Sequence, residues 1–302
     1  MHTTPLHKRF GVEVHDVDLN QITARHDYAK VREMFDHQSL LLFRNQDLSE
    51  QRQLLLGEHF GPIEDRSQGA NEGQPVMSAV SNLNSQGAII AESDDALLNL
   101  KSNFLWHTDS TFLPVPSLAN IIAARVLPAS GGQTELVSTR AAWSDMPEEL
   151  RAKARNVILW HRYTHSRSKI SKHLAQAEMF TKWPDQAWRS IWRNPATQQD
   201  ALYIASHAFT VNGLPEDEGQ ALIDELTDWC TQSHYIYSHC WRRGDVMIWD
   251  ERATLHRGRP WPFDEERTLS SICVSARECD GLDTILPPKT VQHKSLSLRV
   301  GA

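Results

Sequence analysis

The segment FLWHTDSTF, residues 104–112, places two side chains that can bind a metal inside an aromatic and apolar stretch. Such a stretch is typical of a buried strand, and residues two apart on a strand point to the same side of it. On that interpretation His107 and Asp109 face one way and Thr108 faces the other. The motif alone is weak, because a chain with 15 histidines contains about one His-x-Asp by chance. A hydrogen-bonded structural pair therefore remains an alternative to half of a metal site.

A second histidine that could complete the site lies far downstream, in GDVMIWDERATLHRGRPWPFDEERTL, residues 244–269. His256 stands there between a predicted strand and a turn, and strands distant in sequence lie side by side in a jelly roll. Two imidazoles and one carboxylate on one face are the facial triad of non-haem Fe(II) oxygenases, which leaves coordination positions open. A closed structural zinc site usually has a fourth protein ligand, often cysteine, and the sequence places none there.

Two further residues are suited to bind a carboxylate near such a metal. Arg267 begins the strand predicted after His256, and a guanidinium can bind a carboxylate through two parallel hydrogen bonds. Thr134, in GGQT, offers a hydroxyl to the same group. A metal site for non-redox chemistry has no reason to hold a second, distant carboxylate. This pair therefore favours an oxygenase with an acidic co-substrate.

Five features of the chain share one family pattern: WHTD (106–109), GGQT (131–134), WDER (249–252), LHR (255–257) and Arg267. Together and in this order they resemble the taurine dioxygenase/TfdA (TauD/TfdA) family of Fe(II)- and 2-oxoglutarate-dependent dioxygenases. The resemblance extends over residues 5–277, which is nearly the whole chain. Four linked motifs are far more specific than His-x-Asp alone.

Three longer stretches resemble one branch of this family: WHTDSTFLPV (106–115), YTHSRSK (163–169) and IASHAFTVNGLP (204–215). The branch contains the phenoxyalkanoate dioxygenases, and within it the enzymes that act on (S)-phenoxypropionates. The resemblance thus implies a small organic substrate, such as an aryloxyalkanoate or a related acid, that is hydroxylated or oxidatively cleaved.

The resemblance implies a role for each matching position. His107, Asp109 and His256 would bind Fe(II), while Thr134 and Arg267 would bind the distal carboxylate of 2-oxoglutarate. Dioxygen would be consumed, and 2-oxoglutarate would be converted to succinate and CO2 as the substrate is oxidised. The carboxylate ligand at position 109 argues against a halogenase, because halogenases of this type lack it.

Four residues are candidates for contact with the substrate: Asn103, Phe104, Ser271 and Arg193. Many family members carry a second arginine four residues after the first, where it binds the acid group of the substrate. This chain has Ser271 at that position, and the phenoxypropionate branch also lacks the arginine. Either the substrate has no acid group there, or another cation replaces the arginine, for which Arg193, Arg167 and Lys169 are candidates.

The hydrophobic pattern predicts a mainly β fold with helical decoration, specifically a double-stranded β-helix (jelly roll). Strands are predicted at residues 9–19, 39–43, 77–82, 121–126, 201–206, 235–241, 245–250 and 268–276. Helices are predicted at residues 28–36, 47–59, 140–155 and 215–230, with Asp47 and Glu50 as a capping box for the second and Asp145 and Glu148 capping part of the third. No GxGxxG follows the first strand, which argues against a dinucleotide-binding fold.

We expect residues 1–302 to form one jelly-roll domain. Residues 64–103 are rich in turn residues and lead directly to the His-x-Asp segment, so they are predicted to form a lid. Residues 140–200 are predicted to be a helical and irregular insertion.

The composition limits the partners and the compartment. A formal charge of −7 disfavours nucleic acid and anionic membranes, and hence a nucleic-acid demethylase. The N-terminus lacks the apolar run of a signal peptide, and the four cysteines have no zinc-like spacing. We therefore expect a cytoplasmic enzyme with a small-molecule substrate, and we expect it to form a homo-oligomer.

Two functions of other classes remain open on the sequence alone. One is a jelly-roll metalloprotein with non-redox chemistry, such as a zinc isomerase or hydrolase. The other is a non-catalytic, metal-dependent ligand sensor, although a sensor has no need for open coordination positions.

Overall fold

The computed structural model describes residues 1–64, 77–91 and 94–291. The strands in these ranges are β1 His2–Pro5, β2 Val12–His15, β3 Leu40–Phe43, β4 Ser78–Ser81, β5 Ser117–Val126, β6 Thr134–Ser138, β7 Ile158–His161, β8 Gln186–Arg189, β9 Ile191–Arg193, β10 Asp200–Leu202, β11 Ala208–Val211, β12 Ile236–His239, β13 Val246–Asp250, β14 Thr254–Gly258 and β15 Thr268–Ser275. The α-helices are α1 Tyr28–Gln38, α2 Glu50–Phe60, α3 Asp95–Lys101, α4 Thr139–Asp145, α5 Glu148–Ala154, α6 Tyr163–Ser168, α7 Glu178–Thr181, α8 Glu216–Cys230 and α9 Leu282–Ile285.

Two sheets form the framework of the predicted jelly roll. The larger sheet has the order β1-β2-β3-β13-β5-β15-β4, and the smaller one has the order β12-β6-β14. All of their strand pairs are antiparallel except β2 with β3. Strands far apart in sequence are neighbours, so β13 lies between β3 and β5. This arrangement brings the C-terminal third of the chain into contact with its first half.

Alternation of side chains along each strand gives the larger sheet two apolar faces. On β3, Leu40 and Leu42 face the smaller sheet and pack in one cluster with Leu136 of β6. Leu41 and Phe43 belong to a different cluster, which helices α1 and α2 cover. The central strands of the larger sheet are thus buried on both sides, and the space between the two sheets is available for a site.

Helices α4 and α8 cover the outer face of the smaller sheet. Val137 of β6 and Leu255 of β14 pack there with Trp143 of α4 and with Ile223 and Leu226 of α8. Helix α8 is amphipathic, with its buried residues at positions 219, 223, 226 and 230, which is the spacing of one helical face. The helical decoration therefore holds β14 from behind.

A buried network of charges fixes the turn between β13 and β14. The guanidinium of Arg252, which is 1% exposed, donates to Asp36 Oδ1 at 2.6 Å and to Asp250 Oδ1 at 2.8 Å. Burial alone would raise the pKa of the Asp36 carboxyl, but the charges of Arg252 and Arg32 lower it. The network joins helix α1 to the turn, so the strand that follows begins at a defined position.

Most of the predicted elements are confirmed, and the deviations are local. The helix predicted at 47–59 begins later, because Ser49 is its N-cap and accepts from the Arg52 N–H, whereas Asp47 does not cap it. Helix α5 has Pro147 at its N-cap without a side-chain cap, so the capping role expected for Asp145 is wrong. The strand predicted at 201–206 is limited to β10, which pairs with β9.

The stretch from residue 104 to 112 is not a regular strand, contrary to the prediction. His107 takes part only in an isolated β-bridge, and Ser110 has a left-handed φ of 60°. The apolar side chains of this stretch at positions 104 to 106 are only half-buried, and Phe112 is buried against Tyr163 of α6 rather than in a sheet. Short apolar runs of this kind do not by themselves distinguish a strand from an irregular buried segment.

The predicted lid and insertion are described in part. Of residues 64–103, strand β4 pairs with β15 at the edge of the larger sheet, and α3 leads to the His107 segment. The predicted lid residues 65–76, 92 and 93 lie outside the described residues, so the lid stays a prediction. The predicted insertion contains α4 to α7 and β7 to β9. None of the helices described here has the length and apolar character needed to cross a membrane.

Two buried histidines share one threonine in the interior. The hydroxyl of Thr111 lies 3.0 Å from His161 Nδ1 and 3.3 Å from His207 Nδ1. Burial lowers the pKa of His161 to about 3, and it places the pKa of His207 well below its ordinary value. Both imidazoles are therefore neutral in the folded protein at neutral pH.

This burial predicts that the protein loses stability in mild acid. Between the ordinary histidine pKa of 6.5 and the folded value of about 3, the unfolded chain binds a proton at position 161 that the folded chain does not. The free energy of unfolding should therefore decrease as the pH falls through this window. His161→Gln should reduce that slope by up to about 1.4 kcal/mol per pH unit. Urea unfolding at several pH values measures the slope, and His173→Gln, at an exposed site, is the control. Equal slopes for the wild type and His161→Gln would contradict the prediction.

Candidate metal centre

A reciprocal backbone contact between His107 and His256 forms the base of the site. The N–H of His107 donates to the His256 carbonyl at 3.0 Å, and the N–H of His256 donates to the His107 carbonyl at 2.8 Å. Because the two residues form a bridge, their side chains project to the same side, and the ring centroids lie 4.1 Å apart. Strand β14 thus delivers His256 beside a segment that is distant in sequence.

Hydrogen bonding sets the orientation of the His107 ring. Its Nδ1 lies 2.7 Å from the carbonyl oxygen of Leu105, which can only accept, so Nδ1 carries the proton. The Nε2 lone pair is then directed towards Asp109, whose Oδ1 lies 3.8 Å away. This is the tautomer that a metal-binding imidazole requires.

Asp109 is turned towards both rings by the chain around it. The Thr108 hydroxyl donates to the Thr254 carbonyl at 2.9 Å, which fixes the side of the segment opposite to the site. Ser110 follows in the left-handed conformation and begins a turn. Asp109 Oδ2 consequently lies 3.8 Å from His256 Nε2. Although the segment is not a strand, the three side chains meet as the pattern predicted.

A buried glutamate supports two of these residues from behind. Glu251, with no exposed surface, accepts the backbone N–H of Asp109 at 3.0 Å and the indole N–H of Trp249 at 2.7 Å. Its Oε2 is also 3.9 Å from His256 Nδ1. The Trp249 ring packs against His256 with centroids 4.7 Å apart. The W-D-E-R motif therefore holds the ligand side chains in place without belonging to the ligand set.

The carboxylate of Asp109 is held on its other side by the larger sheet. The Asn120 amide donates to Asp109 Oδ2 at 2.8 Å, and the Cys273 thiol lies 3.5 Å from the same oxygen. The Ser271 hydroxyl in turn donates to the Asn120 carbonyl oxygen at 2.8 Å.

The donor set of His107, Asp109 and His256 fits a divalent transition metal. One ligand atom from each of the three lies within 4.8 Å of the others, and among the described residues this is the group of His, Cys, Asp and Glu side chains that could bind a metal. Two imidazoles and a carboxylate are the ligands that non-haem Fe(II) sites use. The three residues predicted as ligands are therefore brought together.

Arg267 lies beside this group as a buried cation. It is 3% exposed, its Nη2 donates to the Gly132 carbonyl at 3.0 Å, and its guanidinium stacks on Trp261. Its Nε is buried and has no hydrogen-bond partner among the described residues. Burial lowers the pKa of Arg267 to about 10. A buried guanidinium whose Nε–H has no partner among the described residues fits an anion such as the carboxylate of 2-oxoglutarate.

The GGQT motif brings the chain close to that guanidinium. A Cβ atom on Gly132 would lie 2.9 Å from Arg267 Nε, and Gly132 has a φ of +67°, so this position requires glycine on two counts. Thr134 follows, and its hydroxyl oxygen accepts the indole N–H of Trp241 at 3.0 Å. The Thr134 proton is then left to donate to a bound carboxylate. Thr134 and Arg267 both line the same pocket.

The pocket between the two sheets has polar and apolar sides. The three predicted metal ligands line it. Asn103, Phe104 and Ser271, predicted as substrate contacts, also line it. Its apolar lining consists of Val80, Leu100, Phe104, Ile122, Trp249, Trp261 and Leu269. Such a lining suits an aromatic or aliphatic ligand body.

The cations proposed to replace the second arginine have different positions. Arg193 is exposed, forms an ion pair with Asp200 and lines a different surface cleft, so the structure does not bring it to this pocket. Arg167 is buried, stacks on Tyr163 and donates to Asn99 of helix α3 at 3.1 Å. Burial lowers the pKa of Lys169. Among the described residues, Arg267 is the cationic side chain in the pocket lining.

Sequence reasoning missed several residues around the metal ligands. Asn120 carried a usable signal, because it is a polar residue inside the otherwise apolar strand SLANIIAARV. Glu251 was part of a quoted motif but had no assigned role. Trp241 and Cys273 gave no signal, because their contribution depends on which strands become neighbours.

Comparison with known proteins agrees with this geometry. A family model described as taurine catabolism dioxygenase TauD, TfdA family, matches residues 2–273. The chain is 30% identical over 271 residues to the alpha-ketoglutarate-dependent 2,4-dichlorophenoxyacetate dioxygenase of Cupriavidus pinatubonensis, covering 88% of this chain and 94% of the relative. It is also 30% identical over 273 residues to the (S)-phenoxypropionate/alpha-ketoglutarate-dioxygenase of Sphingobium herbicidovorans, covering 88% and 91%.

Solved structures with the same fold include one that aligns with this chain over its whole length. The crystal structure of AAD-2 in complex with Mn(II) and N-oxalylglycine superposes with a TM-score of 0.85 at 27% identity, covering 92% of this chain and 100% of that one. A taurine dioxygenase from Burkholderia xenovorans gives a TM-score of 0.72 at 23% identity, which supports the fold alone. The jelly roll predicted from the hydrophobic pattern is thus confirmed.

The site predicts that metal binding depends on each member of the triad. Removing one of the three ligands should weaken Mn(II) or Fe(II) binding on the order of 100-fold or more. The reason is that mutation of a residue that only hydrogen-bonds to a metal ligand already lowers metal affinity by about 10- to 100-fold. Asp109→Ala and His256→Ala are the test variants, and calorimetric titration of the metal-free protein measures the affinity. Asp200→Ala removes a half-buried carboxylate that is paired with Arg193 outside the site, and it is the matched control. Wild-type affinity in either test variant would contradict the assignment.

Proposed function

The chain belongs to the TauD/TfdA family of 2-oxoglutarate-dependent dioxygenases, and from that premise we propose that its substrate is an aryloxyalkanoate or a related aromatic acid. Enzymes of this family use Fe(II), 2-oxoglutarate and dioxygen, and the products would be succinate, CO2 and a hydroxylated or oxidatively cleaved substrate. The observation that carries the proposal is one pocket that combines the metal-binding triad, a buried guanidinium and an apolar lining.

The residues of the triad have defined tasks in this proposal. His107, Asp109 and His256 would hold the iron, which when bound supplies the reactivity towards dioxygen and 2-oxoglutarate. Glu251 keeps the backbone of Asp109 in place, and Trp249 packs on the His256 ring. Rigid support of this kind keeps the ligand atoms on one face and leaves the other face to the co-substrate.

Arg267 and Thr134 would bind the distal carboxylate of 2-oxoglutarate. The guanidinium is already buried and held by Gly132 and Trp261, so little conformational entropy is lost when the acid binds. The carboxylate would satisfy the Nε that lacks a partner among the described residues. The non-redox and sensor alternatives give no reason for such a cation, and the family match does not fit them.

The apolar lining supports the aromatic part of the substrate proposal. Phe104 packs against Phe263 with ring centroids 6.4 Å apart, and Trp261 packs beside them. Phe104, in the turn after α3, and Trp261, in the segment after β14, line the pocket, where they would contact a bound aryl group. Two relatives at 30% identity carry names that specify phenoxy acids as their substrates.

The compartment and the assembly are further proposals. We propose a cytoplasmic location, which the four free cysteines support because thiols persist in a reducing compartment. The expected homo-oligomer stays a prediction that light scattering on the purified protein would test.

Replacing Arg267 should affect the co-substrate selectively. In Arg267→Ala the distal carboxylate loses its buried partner, which we expect to weaken the binding of 2-oxoglutarate by about 2–4 kcal/mol. The 2-oxoglutarate concentration required for half-maximal succinate formation should then rise roughly 30- to 1000-fold. Measuring succinate formation against 2-oxoglutarate concentration gives this value, and Arg259→Ala, at an exposed arginine, is the control. An unchanged requirement in Arg267→Ala would mean that the co-substrate is bound elsewhere.

A substrate screen tests the proposed substrate class. Substrate-dependent succinate formation should be strongest with aryloxyalkanoic acids and weak with amino acids and alkyl sulfonates. Phe104→Ala should then raise the KM for the aryl substrate about 10-fold or more, because burial of an aromatic contact is lost, while the KM for 2-oxoglutarate stays the same. Preference for alkyl sulfonates, or a Phe104→Ala change confined to 2-oxoglutarate, would contradict the proposal.

A further inference from the structure

Asn120 is a polar residue at a buried position of an apolar strand. It is 4% exposed and lies in the middle of β5, between Ala119 and Ile121, which have no exposed surface. A buried amide in such a place needs hydrogen-bond partners, since an unsatisfied one costs stability. Its partners are Asp109, which is a member of the metal-binding triad, and Ser271.

The two hydrogen bonds determine which way the Asn120 amide points. The Ser271 hydroxyl donates to the carbonyl oxygen of Asn120 at 2.8 Å, and the NH2 group of Asn120 donates to Asp109 Oδ2 at 2.8 Å. The reversed amide would place a carbonyl oxygen against the carboxylate, where two acceptors repel each other. The carboxylate therefore selects the orientation in which the Asn120 NH2 group donates to Asp109, and the Ser271 hydroxyl, which can donate or accept, satisfies the amide oxygen of that orientation.

The sheet register places these groups next to one another. Ser271 and Cys273 of β15 pair with Ile122 and Asn120 of β5, so Cys273 is directly opposite Asn120 and Ser271 is its diagonal neighbour on the same face. The Cys273 thiol adds a second contact to Asp109 Oδ2, at 3.5 Å. The pairing of β5 with β15 thus fixes the rotation of the Asp109 carboxylate.

We propose that Asn120 and Ser271 form a positioning pair that orients the carboxylate ligand Asp109, which rests on the metal centre described for the proposed function. Ser271, which was predicted to contact the substrate, serves the metal ligand in this arrangement. Both side chains are neutral, so they orient the carboxylate without neutralising the negative charge that attracts the metal.

The proposal is tested by the affinity of the metal-free protein for Mn(II), without substrate or 2-oxoglutarate. Free Mn(II) is measured by its electron paramagnetic resonance signal. Asn120→Leu keeps a similar volume but removes the donor, and it should weaken Mn(II) binding about 10- to 100-fold. Ser271→Ala should also weaken binding, whereas Ser271→Thr keeps the hydroxyl and should restore most of the affinity.

Ser270→Ala is the matched control for Ser271→Ala. Ser270 is also buried in β15, but its hydroxyl donates to Gln53 and accepts from Arg125 on the opposite face of the sheet. The same chemical change there should lower thermal stability and leave the Mn(II) affinity unchanged. Circular dichroism of every variant, including its melting curve, separates a local effect at the metal from a general loss of structure.

Several results would overturn the positioning pair. One is wild-type Mn(II) affinity in both Asn120→Leu and Ser271→Ala. Another is a higher substrate KM in the two variants with no other change, because both residues would then act on the substrate. Equal weakening by Ser270→Ala and Ser271→Ala, or failure of Ser271→Thr to exceed Ser271→Ala, would also contradict it. If the wild type itself bound no Mn(II) and Asp109→Ala made no difference, the metal centre would fail together with the pair. Strong wild-type binding with unaffected variants would overturn the pair alone.

Discussion

The two backbone hydrogen bonds between His107 and His256 are the constraint on which the site depends. They connect an irregular segment to strand β14 and place both imidazoles on one side. Every other contact to the triad uses this geometry, because Asp109 is two residues from His107 and Glu251 lies on the turn before β14. The buried ion pairs of Arg252 fix that turn and so determine where β14 begins.

Two buried arginines show how the same side chain can have a structural or a functional role. Arg252 forms ion pairs with Asp36 and Asp250. Burial alone would lower the pKa of Arg252, but these two carboxylates raise it above its ordinary value. Arg267 is buried to a similar degree, but burial lowers its pKa to about 10 and its Nε has no partner among the described residues. A buried charge without compensation is costly, so its presence in a pocket indicates that a ligand supplies the anion.

The interior around the metal centre combines apolar packing with a few directed polar groups. Trp249 contributes both, because its ring packs on His256 while its N–H binds Glu251. Asn120 and Ser271 act on Asp109 from the opposite side. Asp109 is thus held at its backbone N–H by Glu251, on the turn between β13 and β14, and at its carboxylate by Asn120 of β5. Such support from several elements limits the motion of the ligand atoms.

The sequence by itself predicted the fold class from strand periodicity, and its linked motifs, through their resemblance to a known family, predicted the iron and 2-oxoglutarate chemistry and the residues of the triad, because both kinds of pattern are local. It misjudged residues 104–112 as a strand, since an apolar run is buried in the same way by a sheet or by tertiary contacts. The roles of Glu251, Asn120 and Ser271 were decided by the tertiary structure alone. Hydrogen bonds between β5, β15 and the His107 segment depend on strand order and register, and neither is encoded in any one stretch of the chain.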